Sequence, residues 1–203
     1  MRLLCVGDSL VNGFPYPRSS SFPSVVAQKT GFDVVNMGMN GITADDTERV
    51  LDRALRSADS SAGSDLVNGS DMPDAILISC GSNDFMMGCA EPTGILRLVM
   101  RMASRAHKAG VSEVYVCAPP LTDPEKASRL WMPGVDYGKV NDMLAEYKSL
   151  IEEYSQGGGE ALSSFRFIDI QSGYSGFGKY ADGVHPTEEG YRLIGDIVAS
   201  SLR

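Results

Sequence analysis

Five short, mainly apolar segments recur along the chain, and none shows a strict alternation of apolar and polar residues. They occupy residues 3–6, 34–37, 75–80, 114–118 and 165–170. Continuous apolar segments are typical of strands that are buried on both faces, as happens when helices cover both sides of a parallel sheet. The pattern therefore predicts five strands of such a sheet.

The segments between these strands show helical spacing. The clearest apolar stripe, with intervals of three and four residues, runs through residues 140–154 and stops at the glycines 157–159. Three more helical patterns follow predicted N-cap residues, namely Thr43, Thr93 and Thr187. Because strand and helix alternate to the end, we predict one domain over residues 1–203 with the architecture of a three-layer α/β/α sandwich.

Two segments interrupt this alternation. Residues 59–73 are rich in Ser, Asp and Gly, which predicts a surface excursion. Residues 119–138 follow a predicted strand, carry three prolines after Pro119 and contain the only tryptophan, Trp131. A long loop in this position either overhangs a functional site, as a lid does, or packs as a connector, and the pattern favours neither interpretation.

Composition narrows the classes of function. Eighteen Lys and Arg against twenty-six Asp and Glu give a net charge of −8 without a basic stripe, which disfavours nucleic acid and anionic membranes as partners. No apolar segment approaches the roughly 18–20 residues of a membrane span, and the first residues show no signal-peptide pattern, so we expect a cytoplasmic protein. Two histidines and four cysteines without Cys-x-x-Cys spacing predict reduced thiols and no metal site, and the absence of nucleotide-binding motifs predicts no cofactor.

Candidate chemistry lies just after the predicted strands, where open parallel sheets bind their ligands. Ser9 follows the first strand, and a serine hydroxyl needs a neighbouring base that is itself held in the correct tautomer. Of the two histidines, His107 lies near the end of a predicted helix, where a cation simply complements the helix dipole. His185 lies in a loop three residues after Asp182, so one tight turn would join the two side chains. We therefore predict the catalytic residues Ser9, His185 and Asp182.

Acyl transfer through a serine also requires donors aimed at the developing oxyanion. Gly38 permits a close backbone N–H, and Asn83 offers a neutral side-chain amide, so together with the N–H of Ser9 they would supply three donors. The alternative interpretation is that Gly38 and Asn83 are ordinary turn residues.

Four sequence blocks carry a family resemblance: Gly7-Asp8-Ser9-Leu10, Asn36 with Gly38 to Gly41, Gly81-Ser82-Asn83-Asp84, and Asp182-Gly183-Val184-His185-Pro186. In this order along the whole chain they resemble the SGNH (GDSL-type) hydrolases, a family of serine esterases and lipases. The resemblance implies a flavodoxin-like fold with strand order 2-1-3-4-5. It also implies a metal-free ping-pong mechanism with Ser9 as nucleophile, His185 as base, Asp182 as its orienting acid, and Ser9, Gly38 and Asn83 as oxyanion donors.

The substrate is less clearly indicated. Short connections leave little material for a lipid tunnel, so we expect small soluble esters with an acetyl or short acyl group, on a carbohydrate or an aryl alcohol. A thioesterase, a lysophospholipase and an acyltransferase of the same family remain alternatives, and a non-catalytic binding module is disfavoured because every required residue is present. Candidate substrate contacts are Met86, Met87 and Trp131, although both methionines are equally compatible with a buried position.

Overall fold

Five parallel strands form one sheet in the part of the chain that the computed structural model describes, which comprises residues 1–59, 72–157, 163–175 and 179–202. The strands are β1 (Arg2–Gly7), β2 (Asp33–Asn36), β3 (Ala75–Ser79), β4 (Glu113–Cys117) and β5 (Arg166–Ile168). They pair in the order β2-β1-β3-β4-β5, so the predicted strands and the implied topology are confirmed. The expected surface excursion over residues 59–73 lies almost entirely outside the described residues.

Helices cover both faces of the sheet. They are α1 (Ser9–Asn12), α2 (Phe22–Thr30), α3 (Ala44–Asp59), α4 (Ser82–Met86), α5 (Pro92–Lys108), α6 (Pro124–Leu130), α7 (Tyr137–Gln156), α8 (Ile170–Ser175) and α9 (Glu188–Ser201). Among the described residues no helix is long and apolar enough to cross a bilayer.

Alternate residues of the strands point into two separate cores. Leu4 and Val6 of β1 belong to a core completed by α3, α5 and α7, whereas Leu3 and Cys5 belong to a core completed by α2 and α9. All four side chains are at most 4% exposed. This arrangement explains why the strands carry continuous apolar segments, since both faces of each central strand are buried.

The predicted helix starts are confirmed at two of three positions. Thr43 and Asp46 exchange hydrogen bonds at the start of α3, and the hydroxyl of Thr187 accepts the N–H of Gly190 at the start of α9. The prediction for Thr93 is wrong, because α5 already begins at Pro92. Proline suits the first turn of a helix, where its missing N–H would have no intrahelical partner.

Residues 119–138 form a packed connector that contains a helix. Asp123 caps α6 by accepting the N–H of Lys126, and the next residue is a proline at the first helical position. The N–H of Asp123 donates to the carbonyl of Gly183 at 2.8 Å, and the Tyr180 hydroxyl donates to the carbonyl of Leu121. The segment is thereby attached to the loop that carries His185, which favours the connector interpretation over a mobile lid.

The space around two helical glycines predicts opposite effects when each is replaced by alanine: Gly195 lies where α9 packs against α2, whereas Gly94 faces open space. A Cβ at Gly195 would lie 2.5 Å from a side-chain atom of Val25, so Gly195→Ala should lower the free energy of unfolding by about 1–3 kcal/mol through overpacking. Gly94 in α5 has open space at the Cβ position, so Gly94→Ala should raise it by about 0.5 kcal/mol. Urea denaturation of both variants tests this, and equal effects would contradict the packing described here.

Candidate active site

The candidate nucleophile Ser9 directly follows the central strand. β1 ends at Gly7, where a Cβ would lie 1.9 Å from the backbone oxygen of Ser79, so the strand pairing leaves room only for glycine. Asp8 then caps α1, because its Oδ1 accepts the N–H of Leu10 at 2.9 Å. Ser9 is the first residue of α1, which places it at the carboxyl edge of the sheet.

A single turn joins the candidate base to its acid. Oδ1 of Asp182 accepts the backbone N–H groups of Val184 and His185 at 2.9 and 2.8 Å, while Oδ2 lies 2.7 Å from Nδ1 of His185. Gly183 has a φ of +97°, a left-handed conformation that glycine adopts without strain. The turn therefore holds the imidazole through both its backbone and its ring.

Ser9 and His185 are brought together from opposite ends of the chain. Oγ of Ser9 lies 2.9 Å from Nε2 of His185, although the two residues are 176 positions apart in sequence. A proton on Nδ1 satisfies the contact with Asp182 and leaves Nε2 as an acceptor for the serine hydroxyl. Partial burial acts to raise the pKa of Asp182, but the hydrogen bonds from His185 outweigh it and hold that pKa below its ordinary value. The imidazole is thus held by a carboxylate that stays ionised.

Two aromatic rings cover the imidazole of His185. The ring centroids of Phe14 and Trp131 lie 4.7 and 4.6 Å from that of His185, both in edge-on arrangements. His185 is only 1% exposed, whereas Trp131 remains 36% exposed. The structure thus brings the predicted contact residue Trp131 to the site, and it adds Phe14, whose only signal in the sequence is its position five residues after Ser9.

Asn83, a candidate oxyanion donor, follows β3, the strand that pairs with β1. It lies in the first turn of α4, directly after β3, and its Nδ2 donates to the carbonyl of Ile42 at 2.8 Å. A primary amide nitrogen carries two hydrogens, so this bond leaves one of them for a ligand. Within the described residues the N–H of Ser9 has no acceptor. One N–H of the Asn83 amide and the backbone N–H of Ser9 are therefore available to donate hydrogen bonds to a ligand.

Gly38 already has an acceptor for the backbone N–H that is predicted to bind the oxyanion. Its N–H donates to Oδ1 of Asn36 at 2.9 Å, and a Cβ would lie 2.2 Å from the backbone nitrogen of Asn12. Glycine is therefore required at this position for packing against α1, and its N–H already has a partner. Gly41, in the same β2–α3 loop (residues 37–43), has an N–H without an acceptor among the described residues. Its neighbour Ile42 carries the carbonyl that binds Asn83.

The two methionines after Asn83 differ in their environment. Met86 is 8% exposed and belongs to the core beside Phe85, whereas Met87 is 52% exposed. Both line a groove of about 270 Å³ between α4 and the start of α7. Its other lining residues include Gly88, Ala90, Glu91, Gly134, Val135 and Lys139. Met87 is therefore the solvent-accessible one of the two predicted contacts.

Two buried carboxylates lie next to the functional residues. Burial raises the pKa of Asp8 to about 6, although the N–H of Leu10 and the nearby His185 oppose the shift. Its Oδ2 has no hydrogen-bond partner among the described residues. Asp84 accepts the N–H of Ala44 at the start of α3, and burial raises its pKa as well. Both carboxylates support turns in the backbone, and each does so at an electrostatic cost.

The second histidine lies outside this arrangement. Its Nδ1 and Nε2 contact the carbonyl oxygens of Val111 and Ser164, both at 2.9 Å, so His107 connects the end of α5 to the chain before β5. No group of three His, Cys, Asp or Glu side chains within the described residues has the arrangement of a metal site.

Known proteins match this chain in family and in fold. Residues 5–193 match the model of the GDSL-like lipase/acylhydrolase family, and no curated protein sequence matches significantly. Similar solved structures include a member of the lipolytic protein G-D-S-L family from Veillonella parvula, with 19% identity over 98% of this chain and 97% of that chain and a TM-score of 0.74. TesA matches with 20% identity over 100% and 98% of the two chains and a TM-score of 0.72. The acetylxylan esterase Axe2 from Geobacillus stearothermophilus matches with 13% identity over 99% and 93% and a TM-score of 0.72. At such identities the likeness establishes the fold.

The raised pKa of Asp8 predicts a distinctive pH dependence of stability. The folded protein retains a proton on Asp8 up to about pH 6, whereas the unfolded chain releases it near pH 4, so ionising this buried group weakens the fold as the pH rises. Relative to Asp8→Asn, the wild type should lose about 2–2.5 kcal/mol of unfolding free energy between pH 4 and pH 7. Urea denaturation across this range measures the difference.

Asp142→Asn serves as the matched control, because Asp142 is an exposed residue of α7. This variant should preserve the pH dependence of the wild type. A constant stability difference between wild type and Asp8→Asn from pH 4 to pH 7 would show that Asp8 is not the group responsible.

Proposed function

Because the chain belongs to the GDSL-like lipase/acylhydrolase family, we propose that it is a serine esterase that hydrolyses small, soluble carboxylic esters. The observation that carries this proposal is the continuous contact from Oγ of Ser9 through the ring of His185 to Oδ2 of Asp182, with distances of 2.9 and 2.7 Å. A serine near a base that is itself oriented by a carboxylate is the arrangement required for an activated nucleophile.

In the first half of the reaction, Ser9 Oγ attacks the acyl carbonyl and its proton passes to Nε2 of His185. The imidazolium that forms is stabilised by Asp182, which keeps its negative charge. As the tetrahedral intermediate collapses, His185 gives the proton to the departing alcohol. In the second half, His185 removes a proton from a water molecule, which attacks the acyl-enzyme and releases the carboxylic acid.

The oxyanion is proposed to be bound by the N–H groups of Ser9 and Gly41 and by Nδ2 of Asn83. Gly41 replaces Gly38 in this role because the N–H of Gly38 is occupied by Asn36. The carbonyl of the next residue, Ile42, accepts a hydrogen bond from Nδ2 of Asn83, so Gly41 lies in the loop segment that contacts this proposed donor. Each such donor typically contributes about 10²–10³-fold to turnover.

Two features favour a short acyl group and a flat alcohol: a groove beside α4, the helix that carries Asn83, and the ring of Trp131, which contacts His185. The groove beside Met87 has a volume of about 270 Å³, which is at the lower limit of typical ligand pockets, so we assign the acyl group to it. The exposed face of Trp131 offers an apolar platform of the kind that binds a sugar or an aryl ring. The similarity in fold to an acetylxylan esterase agrees with such an ester.

Covalent labelling tests the nucleophile directly. Treatment with a fluorophosphonate should add one adduct to the wild-type protein, on the peptide that contains Ser9, because only a serine with an activating base reacts at an appreciable rate. Intact mass and peptide mapping should show no adduct for Ser9→Ala and a strongly slowed reaction for His185→Ala.

Ser149→Ala provides the matched control, since Ser149 is an exposed serine on α7 whose hydroxyl donates to the carbonyl of Ala145. It should label like the wild type. Wild-type labelling of a folded Ser9→Ala variant would contradict the proposed nucleophile, and the absence of any adduct on folded wild type would favour a binding module.

Acyl-chain length tests the substrate class. Across 4-nitrophenyl esters from acetate to palmitate, kcat/KM should be highest for the two- to four-carbon acids and fall at least about tenfold by eight carbons, because the groove beside Met87 cannot enclose a long chain. Rates of Ser9→Ala give the background. A kcat/KM that rises with chain length would refute the assignment to small soluble esters.

A further inference from the structure

Arg18 connects three separate parts of the candidate site. Its Nε donates to Oδ1 of Asn12 at 2.8 Å, its Nη1 to the carbonyl of Asn36 at 2.9 Å, and its Nη2 to the carbonyl of Gly38 at 2.9 Å. These acceptors belong to α1, to the end of β2 and to the β2–α3 loop. One guanidinium group therefore spans the elements that surround Ser9.

The backbone of Arg18 is itself held in place. Its carbonyl accepts hydrogen bonds from the hydroxyl groups of Ser21 and Ser24, at 2.6 and 2.7 Å, and from the N–H of Ser21 at 3.0 Å. Nδ2 of Asn36 in turn donates to Oγ of Ser21 at 3.1 Å. The backbone from which the Arg18 side chain extends is therefore fixed by hydrogen bonds. These bonds also link the acceptors of the guanidinium to the start of α2.

A second link reaches the proposed oxyanion donor. Nδ2 of Asn12 donates to Oδ1 of Asn40 at 2.7 Å, while the same side chain receives the bond from Arg18. The N–H of Gly41 belongs to the peptide bond that Asn40 and Gly41 share. Two consecutive hydrogen bonds thus connect the guanidinium of Arg18 to the residue that carries this peptide.

The partners of Arg18 distinguish it from an ordinary surface arginine. Among the described residues it forms no ion pair, and all of its acceptors are neutral oxygens. The fork of a guanidinium reaches several acceptors in fixed directions, which an ammonium group does not reproduce.

We propose that Arg18, acting through Asn12 and Asn40, is a positioning residue that holds the β2–α3 loop in the geometry needed for the Gly41 N–H to bind the oxyanion. This inference rests on the proposed esterase function. In this scheme Arg18 makes no contact with substrate and acts only through the oxyanion donor, so its loss affects transition-state stabilisation more than ground-state binding.

Kinetics and hydrogen exchange test the inference together. Arg18→Gln should lower kcat for 4-nitrophenyl acetate by about tenfold or more with KM changed less than about twofold, since a displaced loop loses an oxyanion donor. Arg18→Lys should show a similar loss, and millimolar guanidinium should restore part of the kcat of Arg18→Ala. Amides of residues 37–43 should exchange faster in Arg18→Gln than in the wild type.

Three further variants sharpen the test. Asn12→Ala should reproduce the loss of kcat, and the double variant Asn12→Ala/Arg18→Gln should lose no more than the larger single loss, because both act through one connection. Arg53→Gln is the matched control, since Arg53 is exposed on α3 and has no hydrogen bond or ion pair within the described residues. It should match the wild type in kcat and in exchange.

The outcomes separate this inference from the proposed function. A wild-type protein that shows no Ser9-dependent hydrolysis would refute the proposed esterase function. In that case, the amide exchange of residues 37–43 in Arg18→Gln would by itself test whether Arg18 holds the β2–α3 loop. With an active wild type, either an unchanged kcat or unchanged exchange in Arg18→Gln would overturn the positioning role.

Discussion

The burial of β1 in the middle of the sheet is the constraint on which the candidate site depends. β1 pairs with β2 on one side and with β3 on the other, and helices cover both of its faces, so the strand has no freedom to change register. The pairing continues beyond β2, because the N–H groups of Met37 and Met39 donate to the carbonyls of Cys5 and Gly7. The loop that carries the proposed oxyanion donor is therefore attached to the same strand that delivers Ser9.

The position of Ser9 has an electrostatic consequence. The residue that caps α1 and so orients Ser9 is a fully buried aspartate, and its desolvation weakens the fold at neutral pH. The same water-poor surroundings strengthen the contacts from Ser9 to His185 and from His185 to Asp182, because charges are less screened there. Reduced stability and a pre-organised hydrogen-bonded chain thus share one physical cause, as is common at functional sites.

The framework and the loops contribute differently to function. Structures with 13–20% identity to this chain share its fold with TM-scores of 0.72–0.74, so the parallel sheet tolerates extensive change in sequence. The residues assigned to substrate contact, Trp131 and Met87, lie at helix ends and on loops beyond the carboxyl edge of the sheet. Loops in this position vary more freely than the strands, which explains why the family indicates acyl chemistry more clearly than it indicates the ester.

The sequence by itself determined the alternation of strands and helices, because this feature depends on local pattern. Its blocks also predicted that Ser9, His185 and Asp182 meet, and the structure brings these three side chains together. Only the tertiary structure shows that the N–H of Gly38 is bonded to Asn36, which is why Gly41 is proposed in its place, since the partner of a backbone N–H depends on what the loop packs against. The same holds for the contacts of Phe14 with His185 and of Arg18 with Asn36 and Gly38, which no local pattern in the sequence predicts. Met86 and Met87 are adjacent in sequence, and only the orientation of α4 places one in the core and the other at the surface. Local pattern predicts which elements form, whereas long-range packing decides which of several suitable atoms faces the site.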